Sequence, residues 1–128
     1  MDGKVAMAFV SEVREAFPES AARADALMVR RGYESDEITE MYTMWLSAFA
    51  DITGEEMVAE ATYVVELHFA FFSGVYENGS DRVRRLVDVG YVENLFWRIP
   101  KEVCARFWPS MPVNLQQLYV GFHGSPPF

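Results

Sequence analysis

Between Gly32 and Asp81 the chain has neither lysine nor arginine, although eleven carboxylates fall in that span. The block therefore carries formal charge −11 while the remaining residues sum to +3, which leaves the 128-residue chain at −8. Phosphate contacts require clustered Lys and Arg, so nucleic acid is excluded as a partner on electrostatic grounds. Cysteine is almost absent: Cys104 stands alone, which rules out an intramolecular disulfide and suits a reducing compartment. Long apolar runs are missing too, because Glu12, Arg14 and Glu15 interrupt the segment after Lys4 before it reaches signal-peptide or membrane-spanning proportions. The expectation is a cytoplasmic protein with no membrane partner. There is no glycine-rich phosphate loop, no metal-ligand spacing and no assembled triad, so no cofactor, no metal and no catalytic residue are expected, and the chain reads as a non-enzyme.

What is present is enough apolar material to fold. With 51% apolar and 15% aromatic residues, a chain of this length buries roughly two thirds of its extended surface in one core. The acidic block itself contains Trp45, Phe49, Phe69, Phe71 and Phe72, so its carboxylates sit on a framework and not on a disordered tail. Apolar spacing is helical almost throughout, and the alternation of half-buried strands is scarce. We therefore expect an all-α fold of six or seven helices, with residues 1–123 as one domain and 124–128 as an extended tail.

Local signals divide the chain into elements. A first helix is expected over residues 3–16, ended by Pro18. A second runs from Ser20 to Arg31, with Gly32 in a left-handed C-terminal position. Ser35 reads as the N-cap of a third helix carrying a stripe of Ile38, Met41, Tyr42, Trp45, Phe49 and Ile52. Thr53 and Glu56 have capping-box spacing and open a fourth helix to Glu77, stopped by Asn78-Gly79. Ser80 caps a fifth that reaches Trp97, with Gly90 as a weakness or a place of close helix contact. Pro100 forces a restart, and helices over Lys101 to Trp108 and Asn114 to Phe122 complete the fold.

The third helix places Glu37, Glu40, Met44, Ser47 and Asp51 opposite its aromatic stripe, an acidic face with one adaptable apolar residue. Charges at a rim speed encounter with a basic surface, and a desolvated apolar anchor supplies the lasting contact. The partner-binding set expected from sequence is Asp36, Glu37, Glu40, Met44, Asp51, Glu55 and Glu66, facing a basic protein partner. The arginines of the Arg82-Val83-Arg84-Arg85 cluster are expected to pair with carboxylates such as Asp81 and Asp88, and could fold over part of the acidic block. His68 lies inside an apolar stripe and reads as a buried, hydrogen-bonded histidine; His123 reads as exposed, and Cys104 as partly buried and inert.

The stretch Phe71-Phe72-Ser73-Gly74-Val75-Tyr76-Glu77-Asn78-Gly79-Ser80-Asp81-Arg82-Val83, followed by Val92-Glu93-Asn94-Leu95, resembles small all-helical bacterial proteins, among them immunity partners of secreted or contact-delivered toxins. The resemblance implies a helical domain with an inhibitory binding role and transfers no individual contact residue. Taken with the charge, it gives the expected function: an immunity-type inhibitor that covers the basic surface of a toxin, for instance a nuclease. An acidic chaperone or adaptor for a secreted effector is the alternative, and an uncharacterised enzyme built on His68 or His123 is the third. Asn94 is expected to share one helix side with Val83, Leu86, Val87 and Trp97 and to hydrogen bond a turn.

Overall fold

Pro18 starts a helix as well as stopping one. In the computed structural model, which describes residues 2–34, 38 and 41–128, α1 (Asp2–Ala16) ends one residue before Phe17, and α2 (Pro18–Arg30) opens with the proline at its first position. There the missing N–H costs nothing and the fixed φ already fits. At the other end of α2, Gly32 adopts φ +97°. Its N–H bonds the Val29 carbonyl and that of Tyr33 bonds Met28, a Schellman closure as expected from the sequence. The expected Ser35 cap, with Asp36, Glu37 and Glu40, lies outside the described residues.

The next boundary differs from expectation. Helix α3 (Tyr42–Val58) passes straight through Thr53, so Thr53 is no N-cap and the Thr53/Glu56 capping box does not form. The break comes at Ala59–Ala61, where Glu60 takes a left-handed φ of +61°. Its N–H bonds the Met57 carbonyl and that of Ala61 bonds Glu56, a second Schellman closure with glutamate where glycine is usual. Helix α4 (Thr62–Asn78) follows. Gly54, which reads locally as a helix breaker, is kept for packing: a Cβ there would lie 2.9 Å from the Ile99 side chain.

The fifth helix is shorter than expected. Ser80 accepts from the Val83 N–H and caps α5 (Asp81–Arg85), which widens into a π-helical turn over Leu86–Tyr91 and tightens over Val92–Asn94. Asn94 ends it by donating to the Val89 and Gly90 carbonyls, so its hydrogen bonds close its own helix. Gly90 marks a close helix contact, since a Cβ there would approach Leu46 Cβ to 2.9 Å. Helices α6 (Lys101–Phe107) and α7 (Val113–His123) complete an all-α domain with no strand among the described residues.

The centre of the core is Phe49 of α3, ringed by Phe17, Trp45, His68, Phe72 and Tyr91. Phe72 and Tyr91 stack at 3.7 Å. A buried indole N–H needs an acceptor, and Trp45 finds it in Asp25 at 2.7 Å; the same carboxylate holds Arg14 through two bonds, and that guanidinium lies over the Trp45 ring. No described helix is long and apolar enough to cross a membrane.

Candidate functional site

The two histidines decide first what the fold can do chemically. His68 is sealed in the core. Its Nδ1 lies 2.9 Å from Thr53 Oγ1 and its Nε2 3.2 Å from Ser20 Oγ, while Thr53 Oγ1 also meets Tyr91 OH at 3.0 Å and the Phe49 carbonyl at 3.3 Å. One set of proton positions satisfies every one of these atoms. Tyr91 and His68 Nδ1–H both donate to Thr53, Thr53 donates to Phe49, and Ser20 donates to Nε2. Burial, helped by the Arg23 charge, lowers the imidazole pKa from 6.5 to about 4, which favours this neutral arrangement at about pH 7. Burial also raises the Tyr91 phenol well above its ordinary value. This network packs α2, α3, α4 and the π-helical turn together, the structural role the sequence suggests for His68. His123 is exposed, with Nε2 2.9 Å from the Glu93 carbonyl and its ring stacked on Tyr119. Cys104 is buried, and desolvation raises its thiol pKa, as expected of an inert cysteine. Among the described residues no group of three or more His, Cys, Asp or Glu could hold a metal.

The acidic block folds into two unequal halves. Along α3, Met44, Ser47, Asp51, Glu55 and Val58 form one outward stripe, which continues the acidic face expected from sequence. Its charge, however, is largely answered. Arg31 donates to Asp51 at 2.5 Å; Arg23 donates to Glu55 at 2.5 Å and also to Glu56; Arg106 donates to Glu60 at 2.8 Å. The neutralising arginines come from α2, from Arg31 at its C-cap, and from α6. The Arg82-Val83-Arg84-Arg85 cluster does not supply them: Arg84 instead donates to the Tyr76 carbonyl and lies over that ring. Asp51 is still penalised: its pKa is raised, chiefly by desolvation and further by the Glu55 charge, despite Arg31 and Arg98.

Helix α4 presents the other half. Tyr63, Glu66, Leu67, Ala70, Gly74 and Glu77 are all exposed and recur at three- and four-residue steps, so they form one continuous strip. Tyr63 is 73% and Leu67 41% exposed. The helix contains no lysine or arginine; among the described residues Glu66 makes no ion pair, and Glu77 accepts a 3.3 Å bond from the Asn114 amide. Beside the strip runs a groove of about 440 Å³ between α1 and α4, with Phe71, Val75 and Val83 as apolar walls, Glu12 as its carboxylate and no cation in its lining. Of the residues expected to bind a partner, the structure gathers Met44, Asp51 and Glu55 on α3 and sets Glu66 apart on α4; Asp36, Glu37 and Glu40 lie outside the described residues.

Sequence reasoning places Trp97 at the end of the fifth helix, on its Asn94 side, and does not decide between core and surface for it. Because the helix ends at Asn94, Leu95 turns extended and the next residues reverse the chain: Phe96 and Arg98 take φ +66° and +59°. Each left-handed non-glycine residue costs about 1 kcal/mol or more. The outcome is that Phe96 points into the core against Tyr119, while Trp97 between them is 63% exposed with the Arg98 guanidinium over its ring. Trp97 therefore does not share the Asn94 side of a helix, as periodicity suggests. A second cleft of about 440 Å³ opens beside it, floored by Val58, Ala59 and Ile99 and rimmed by Arg31, Asp51, Glu55 and Arg98. The one local signal for this reversal is Pro100, which holds Ile99 away from helical backbone.

These features define a small all-helical domain with a sealed histidine and with exposed Tyr63 and Leu67 set beside carboxylates on α4. The chain belongs to the family described as Domain of unknown function (DUF7674), which matches residues 10–124. No curated protein and no solved structure matches it significantly.

Proposed function

We propose that this protein is an immunity-type inhibitor that docks on a basic protein, with the outer strip of α4 as its binding surface. The observation that carries this reading is the pairing of exposed Tyr63 and Leu67 with Glu66 and Glu77 on a helix that has no cation. Tyrosine is a frequent anchor of interface energy, and carboxylates around it steer a basic partner into place. The groove beside the strip suits a lysine or arginine whose alkyl stem lies along Phe71 and Val75 while its charge meets Glu12. A toxin domain that handles nucleic acid must display positive charge to its substrate, so an acidic strip that covers it also excludes phosphate. The reading requires no catalysis of the inhibitor. The groove holds one or two side chains, which favours a folded partner over the extended client of a chaperone.

The test is inhibition and binding with the basic partner recovered from the native host. Tyr63→Ala with Leu67→Ala should weaken binding by about 30-fold or more and abolish protection, at the scale of hot-spot truncations. Full protection by that double variant would refute the α4 surface.

A further inference from the structure

The Trp97 cleft lies outside the α4 strip and has a different charge character. We propose that it is a self-association surface, in which two copies of this chain meet about a two-fold axis and the Trp97 ring of each covers the Val58 and Ile99 floor of the other. Three observations carry this. First, Trp97 is the only exposed tryptophan among the described residues, and two left-handed backbone positions hold it outward, so its display is built into the chain reversal. Second, the floor beside it is apolar, with Val58 itself 53% exposed, so ring and floor both gain by being covered. Third, the rim has equal numbers of each sign, Asp51 and Glu55 against Arg31 and Arg98.

That balance selects the occupant. Two chains of charge −8 repel across most of their surfaces, but a rim with two acids and two bases can face its own copy with opposite charges opposed. In such an isologous contact each residue meets its counterpart's partner reciprocally. Arg98 lies over the Trp97 ring and makes no close ion pair among the described residues, and its charge already acts on Asp51 across the rim; in the dimer the same guanidinium would face Glu55 of the second copy. Desolvation already disfavours the Asp51 carboxylate despite Arg31 and Arg98 of its own chain, and the arginines of a facing copy would relieve it further. The α4 strip stays uncovered, so a dimer would present two inhibitory surfaces.

Two tryptophans with their rims form a contact below the standard interface size, which implies a dissociation constant in the micromolar range. Sedimentation equilibrium of the full chain from about 1 μM to about 1 mM at low salt tests this. The wild type should pass from monomer to dimer, with a blue shift of tryptophan emission over the same range. Trp97→Ala should weaken association about 30-fold or more with unchanged helical circular dichroism. Arg98→Glu should also weaken it, and Glu55→Arg added to Arg98→Glu should recover it. A wild type that stays monomeric throughout, which would leave the cleft to some other protein, overturns the proposal. So does a dimer that Trp97→Ala leaves intact, or a charge swap that recovers nothing.

Discussion

Helices α3 and α4 resemble each other on the inside and differ on the outside. Inward, each contributes to one polar contact and one aromatic core: Thr53 of α3 meets His68 of α4, and Phe49 packs on Phe72. Outward, α3 has its carboxylates bonded by Arg23 and Arg31, whereas on α4 Glu66 has no ion pair among the described residues and stands between exposed Tyr63 and Leu67. The contrast teaches that a run of acidic sequence is not yet an acidic surface. Which carboxylates remain free is decided by which helix α2 happens to pack on, and α2 packs on α3.

The inner likeness is the easiest part to break. Thr53→Val removes the partner of both His68 Nδ1 and Tyr91 OH, and two buried polar groups left unpaired should cost about 4 kcal/mol in urea unfolding. Acid attacks the same place. His68 titrates at about 4 when folded and at 6.5 when unfolded, so its contribution is complete above pH 6.5 and is lost as pH falls toward 4. That difference makes the loss about 3 kcal/mol. Chemical unfolding at several pH values should show the slope in that window, and His68→Leu should flatten it. Gly90→Ala forces a Cβ against Leu46 and should cost about 2 kcal/mol through overpacking. At the joint between the two helices, Glu60→Gly should instead stabilise by about 0.5–1 kcal/mol, since relief of the left-handed glutamate outweighs the exposed Arg106 pair.

Much of this plan was legible in the sequence, and the exceptions share a physical cause. The aromatic stripe of Trp45, Phe49 and Ile52, the Gly32 cap and the buried His68 follow from periodicity and local cap chemistry, and all are present. Thr53 misled because a Thr-x-x-Glu spacing marks a helix start only where the preceding turn is not helical, and there the core continues α3 without pause. The true break at Glu60 has neither glycine nor proline to announce it. The Arg23, Arg31 and Arg106 pairs join residues 32, 33, 20 and 46 apart, so only the assembled fold reveals them. Trp97 was hidden for a similar reason: its exposure depends on a helix stopped by Asn94 and on two backbone conformations that no residue preference favours.

The most direct test of the central contrast is the association rate with the basic partner at about 50 mM and about 300 mM salt, for two charge-reversed variants. Glu66→Lys with Glu77→Lys should slow low-salt association about tenfold or more and flatten its salt dependence, whereas Asp51→Lys with Glu55→Lys, whose carboxylates are already answered by arginine, should change the rate far less. Equal slowing by both pairs, or by neither, would contradict the division of the acidic block into a neutralised helix and a free one.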